Sequence, residues 1–215
     1  VQRGVKQELP VLGPGKGAQT SRGLRRQSLI LKVAATLFAE HGFDSVSINQ
    51  IGAEAGITGP AIYRYFPSKE ALLVSIFQHL HRRTGDALNQ VMTSALRGRC
   101  ALERLIDLQF ELAFDEPEKI RIVADEERHL PVKEAAVLRG ETRRLLRVWT
   151  DVLREARPDV GRDECDATVH AVLALINSVT LKRSPNGTSL PVRRHLRAMA
   201  LAAVSDTTEL TERAG

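Results

Sequence analysis

Between Ser47 and Lys69 the chain stops and restarts a helix twice, and this punctuation constrains the fold more than any other feature. Ser47-Ile48-Asn49-Gln50 reads as a capping box, in which a hydroxyl and a side-chain amide three residues apart satisfy each other's backbone donors. The helix it opens runs to about Ala55, where Gly56 supplies the stop. Thr58 is an N-cap for the next helix, and Pro60 is tolerated in its first turn. Pro67 ends that helix at about Phe66, because proline disfavours helical backbone in the residue before it. Ser68 caps the helix that follows. Two short helices joined by a glycine-containing turn make a helix-turn-helix, a motif whose second helix lies in the DNA major groove. Thr58–Lys69 is therefore the expected recognition helix and its anchor.

The net charge of +5 is unevenly placed. Residues 1–26 hold Arg3, Lys6, Lys16, Arg22, Arg25 and Arg26 against Glu8 alone, so the remaining 189 residues balance at 25 basic and 25 acidic. A basic tail on a neutral body points to a polyanion, nucleic acid before membrane. With five glycines and two prolines, residues 1–23 read as a disordered arm. Residues 27–70 carry Lys32, Arg64 and Lys69 against Glu40, Asp44, Glu54 and Glu70, so attraction to DNA falls largely to the arm. Arg22, Arg25 and Arg26 are its candidates for the adjacent minor groove.

Composition excludes several classes. A chain that is 43% hydrophobic and 27% charged folds into a globular body. No apolar run approaches the roughly 20 residues of a membrane span, and the first residues lack the apolar core of a signal peptide. Two cysteines, Cys100 and Cys165, are too few for a disulfide scaffold or a cysteine-rich zinc site, which favours the cytoplasm. No phosphate loop, zinc-helix motif or nucleophile elbow occurs, so neither an enzyme nor a cofactor or metal is expected. Asp125-Glu126-Glu127-Arg128-His129 contains acid and base, but consecutive residues on a helix do not share a face. It reads as a solvated charge run.

Apolar residues recur at helical spacing along the whole chain, with no strand signal, so the fold class is all-α. Helices are expected at about Leu24–His41, Ser47–Ala55, Gly59–Phe66 and from Ser68 past Leu80. Others are expected at Ala101–Phe114, from Pro117 through Val123, from Pro131 to Leu153, at Asp163–Leu181 and from Pro191. The helix at 163–181 is apolar almost all round after Asp166, as in a helix buried on every face, in a core or between subunits.

Three segments then make a resemblance specific: Phe38-Ala39-Glu40-His41-Gly42-Phe43, Ile51-Gly52-Ala53-Glu54-Ala55-Gly56-Ile57 and Ala61-Ile62-Tyr63-Arg64-Tyr65-Phe66-Pro67-Ser68-Lys69-Glu70-Ala71-Leu72. In order and spacing, residues 24–75 resemble the DNA-binding domain of the TetR family of bacterial repressors. The resemblance implies about nine helices: an N-terminal three-helix helix-turn-helix domain at 24–70, after the arm, then a helical ligand-binding and dimerisation bundle at 71–215. It also implies a homodimeric repressor of a double-stranded DNA operator, released by a small-molecule effector and independent of membranes.

Physical chemistry and resemblance together nominate the DNA contacts. Hydroxyls at helix starts donate to phosphate beside terminal amides, which suits Ser47 and Thr58. The resemblance assigns Tyr63 to base or sugar-phosphate, Tyr65 to phosphate, and makes Lys69 a phosphate clamp. Asn49 and Arg64 are candidates for base or backbone contact, with Arg25 and Arg26 from the arm side. Gly59 departs from the family, where a polar base-reading side chain is common, and is expected to allow close backbone approach to DNA. That departure keeps alive an alternative, a helical dimeric scaffold with non-specific DNA affinity. In the body, Phe110, Phe114, Trp149 and Asn177 are ligand candidates. Scarce aromatics there suit an acyl or other lipid-like effector. Val169, Val172, Ile176, Leu196 and Met199 are candidates for the dimer seam.

Overall fold

Nine α-helices appear among the described residues, 20–180 and 190–205, of the computed structural model, with no strand among them. They are α1 (Ser21–His41), α2 (Ile48–Glu54), α3 (Gly59–Ile62), α4 (Lys69–Thr93), α5 (Gly98–Asp115), α6 (Pro117–Asp125), α7 (Val132–Ala156), α8 (Arg162–Asn177) and α9 (Leu190–Val204). Single 3₁₀ turns, Glu127–His129 and Ser178–Thr180, follow α6 and α8. Most of the expected arm and the Pro185-Asn186-Gly187 loop lie outside the described residues.

The chain divides into two compact units. The first holds residues up to 79 together with 122–138, so the 3₁₀ turn after α6 belongs with the helix-turn-helix. Its core gathers Ile30, Ala34 and Phe38 of α1, Ile51 of α2, Ile62 of α3, and Leu72, Leu73 and Ile76 of α4. Ile122, Leu130 and Leu138 complete it. The second unit, residues 80–121 and 139–215, packs α5, α8 and α9 on one another.

Local chemistry explains most boundaries. Thr20 accepts a hydrogen bond from the Gly23 amide at 3.0 Å, so α1 begins at Ser21, three residues before the expected start. Gly42 has φ +80° and donates to the Phe38 carbonyl at 2.9 Å, closing α1 where expected. At α2 the capping box is formed: Ser47 Oγ accepts from the Gln50 amide at 3.2 Å, and Gln50 Oε1 accepts from the Ser47 amide at 2.8 Å. Gly98 opens α5 at φ +50° instead of breaking the chain before it.

Two expectations need correction. The recognition helix is shorter than expected: α3 spans four residues, and beyond it three-residue steps, Arg64 to Ala61 and Tyr65 to Ile62, mix with one helical bond from the Phe66 amide to the Ile62 carbonyl. Pro67 disfavours a regular helical turn directly before it. Nor is α8 buried all round. Cys165, Val169, Val172 and Ile176 form one buried face, while His170, Ala171 and Ala174 stay exposed.

Candidate nucleic-acid interface

Gly52 sets how closely α2 and α3 approach. A Cβ there would lie 2.8 Å from the Gly59 nitrogen and 2.9 Å from the Ile57 carbonyl oxygen, both backbone atoms that cannot swing away. The turn between the helices is a Schellman motif. Ile57 N–H donates to the Gly52 carbonyl at 2.9 Å and Gly56 N–H to that of Ala53 at 3.1 Å, with Gly56 at φ +66°. Arg26 on α1 adds a side-chain bond to the Ala55 carbonyl at 2.9 Å, satisfying another orphan acceptor at the end of α2.

Gly59 has a structural explanation in place of the expected one. It is buried, and a Cβ at this position would collide with the Asn49 side-chain oxygen and lie 3.2 Å from Asn49 Cα. Its missing side chain makes room for α2, and the backbone there does not face solvent. Asn49 itself stays exposed on α2.

Other sequence-nominated residues separate into two groups. Tyr63 is 54% exposed, and Thr58, Arg64 and Arg25 are exposed as well; the Thr58 hydroxyl makes no cap bond to its own helix. These side chains are free to meet a ligand. Tyr65, two residues from Tyr63, packs half-buried against the core below Ile62 and Phe66. Ser47 is exposed, but its hydroxyl is engaged with Gln50.

Lys69 is committed inward. Its Nζ donates to the Phe43 carbonyl at 2.8 Å and the Val46 carbonyl at 3.0 Å, and lies 4.2 Å from the centre of the Phe43 ring. The ammonium pins the α1–α2 turn, leaving one of its three N–H donors for any phosphate. Next to it, Glu70 caps the start of α4 with Ser68. Backbone hydrogen bonding at the helix start, then the Ser68 hydroxyl, holds the Glu70 carboxyl below the usual carboxylate range.

Sequence reasoning passed over Gly52 and the inward role of Lys69. A signal existed for the first: glycine inside a short helix costs stability and asks for a packing reason. For the second none existed, since its carbonyl partners lie 26 and 23 residues away.

In the body, the ligand candidates are not gathered around one space. Phe110 is 5% and Trp149 2% exposed, so both are core residues. Phe114 stacks on Phe110 at 6.1 Å and lies under the Arg193 guanidinium at 4.0 Å. Asn177 accepts a bond from Gln109 at 3.2 Å. A cavity of about 130 Å³ lies elsewhere, lined by Arg99, Leu102, Glu103, Arg157, Leu201 and Val204 among others. The dimer candidates also need correction: Val169, Val172 and Ile176 are at most 2% exposed within this chain, spent on its own core. Met199 is 45% exposed and Leu196 half-buried. The acidic run is corrected as well, because Glu126 is buried rather than solvated. No cluster of three metal-ligating side chains occurs among the described residues, and no described helix is long and apolar enough to cross a membrane.

Comparison with known proteins places this geometry. Residues 30–76 match the family model described as bacterial regulatory proteins, tetR family. The transcriptional repressor KstR2 of Rhodococcus jostii is 29% identical over 147 residues, 68% of this chain and 72% of that protein. The solved ketosteroid transcriptional regulator KstR2 of Mycobacterium tuberculosis superposes with a TM-score of 0.74 at 19% identity, covering 88% of this chain and 96% of that one. AibR, solved in complex with isovaleryl coenzyme A and operator DNA, gives 0.71 at 16% identity, covering 82% and 96%. Those solved structures share the fold, and the family model falls on the helix-turn-helix with its glycine-packed turn. The helix-turn-helix is thus that of the tetR family of bacterial regulatory proteins, and the chain as a whole is similar to transcriptional regulators of that family.

Proposed function

We propose that the chain is a cytoplasmic homodimeric repressor that binds a pseudo-palindromic operator and is released by a small acyl or lipid-like effector. The observation that carries this reading is the exposed edge of α3. Thr58, Tyr63 and Arg64 stand free on a turn whose backbone is set from behind by the close packing at Gly52 and Gly59. Asn49 lies against Gly59 at that edge, and Arg25, Ser47 and Tyr65 are assigned to phosphate. A pre-set backbone with free polar tips suits an element that docks into a groove.

The competing reading, a scaffold with non-specific affinity, drew on Gly59. Its burial against Asn49 explains the glycine by packing and removes that support. For the dimer, α8 and α9 together expose Ala171, Ala174, Val192, Ala198 and Met199, small and apolar residues that let helices approach closely. They replace Val169, Val172 and Ile176 as seam residues. Two-fold symmetry then sets the two recognition elements about 34–36 Å apart, or a multiple of a DNA turn.

The lipid-like effector draws support from AibR's isovaleryl coenzyme A and from the ketosteroid regulator KstR2.

Fragments selected from genomic DNA by the purified chain test the reading. Selected fragments should bind about a thousandfold or more tighter than random DNA, with affinity falling steeply in salt. Tyr63→Ala should weaken binding about tenfold with the melting temperature unchanged. Acyl coenzyme A thioesters should release the DNA. Equal affinity for selected and random DNA would favour the scaffold instead.

A further inference from the structure

One buried polar cluster has no part in the surface assigned to DNA. Glu126, at the end of α6, is 6% exposed and belongs to the same compact unit as α1–α3. Its Oε1 accepts a hydrogen bond from the Phe43 amide at 3.2 Å, across 83 residues of sequence. Its Oε2 lies 2.8 Å from His129 Nδ1, an ion-pair distance without hydrogen-bond geometry, and both atoms are buried with no hydrogen-bond partner. The second ring nitrogen, Nε2, lies 3.1 Å from Asp44 Oδ2. The imidazole also stacks on Phe43, centre to centre 5.0 Å, with 27° between planes.

Phe43 and Asp44 form the turn that carries the chain from α1 to the Ser47 cap of α2. Lys69 grips the same turn from α4 through the Phe43 and Val46 carbonyls. The charged groups facing His129 are thus Glu126 from α6 and Asp44 from the turn, with Lys69 across the Phe43 ring. Glu127 and Arg128 are exposed on its own 3₁₀ turn. Both ring nitrogens lie close to carboxylate oxygens, Nε2 in hydrogen-bond geometry and Nδ1 at ion-pair distance, and the imidazolium is the form that both carboxylates attract. A neutral ring sets one lone pair against a carboxylate, a costly arrangement where water is excluded.

We propose that Glu126 and His129 are positioning residues for DNA binding, a proton-dependent latch that fixes the Phe43–Val46 turn and hence the start of α2. This role rests on the reading that the helix-turn-helix binds DNA. The sign follows from the donors. With His129 protonated the latch is closed, the turn is pre-organised, and the Asp44 charge near the Ser47 end is offset. With His129 neutral the attraction to the two carboxylates is lost, the turn is held less firmly and DNA affinity falls.

The test uses the full chain, selected DNA and a pH series between about 5 and 8, where histidine changes charge. Wild-type affinity should fall about tenfold across the series beyond the change seen in His129→Gln, which should hold the weaker, high-pH value within about twofold. Asp44→Asn, on the exposed side, should lose about half of that pH dependence on a logarithmic scale and guards against misfolding of the buried variant. Hydrogen exchange at the Phe43 amide, read without DNA, should be faster in His129→Gln than in wild type at low pH and alike at high pH. Equal exchange in the two proteins at every pH overturns the latch, as does an identical pH slope of affinity. A wild type that binds no DNA but shows the expected exchange overturns the DNA reading and the positioning role together, and leaves the fault in the former.

Discussion

The helix-turn-helix unit and the helical body use polar side chains differently. In the first unit, Ser47, Arg26 and Lys69 spend their hydrogen bonds on backbone groups, holding turns and helix ends in place. In the body several polar contacts join side chain to side chain between helices, Arg197 with Asp107, Gln109 with Asn177 and Thr150 with Asp166, beside bonds to backbone such as Arg157 to the Ser205 carbonyl. Backbone fixing makes a rigid docking surface. Side-chain pairs can exchange partners without unravelling a helix, as the proposed response to an effector would require.

The comparison breaks most visibly at glycine. Gly52→Ala forces backbone atoms of α2 and the turn apart and should cost about 3 kcal/mol or more, seen as a lower melting temperature and lost DNA binding. Gly140→Ala on α7 of the body meets nothing within 4 Å and should stabilise the chain by about 0.5–1 kcal/mol. Equal effects at the two sites would remove the distinction between a packed turn and a tolerant body.

Next in size is the contrast between two cations. Lys69→Met strands two carbonyls of the α1–α2 turn and should destabilise by about 2 kcal/mol in denaturant unfolding. Arg197→Met breaks an ion pair with Asp107 whose side chains are 43% and 31% exposed, and should cost less than about 1 kcal/mol. A larger loss at Arg197 would show that the body also depends on its polar contacts.

The smallest effect is at Glu70. Its carboxyl is held low in the folded chain, so the ionised form contributes stability above the ordinary carboxylate range, lost as pH falls through the folded value. Glu70→Gln should cost about 0.5 kcal/mol near neutrality, and the difference from wild type should vanish in acid. A difference that persists undiminished in acid would assign Glu70 to packing instead.

How much of this was legible follows from distance along the chain. The all-α class, the Ser47–Gln50 capping box, the Gly42 and Gly56 stops and the outward Tyr63 follow from side chains within four residues of the backbone they govern. Local rules decide such features before the chain collapses. The length of α3 escaped them, because a proline's influence and a packed helix compete over the same few residues.

What only the tertiary structure decided lies at long separation. Gly59 is small because Asn49 fills its space, and Lys69 turns inward because two carbonyls of another turn lie within reach. Val172 and Ile176 face the chain's own core rather than a second copy. Glu126 and His129, three apart and hidden in a charge run, meet Phe43 and Asp44 more than 80 residues away. Periodicity states that a face is apolar or a group polar. Which partner it meets depends on how the helices pack, and that is a property of the whole chain.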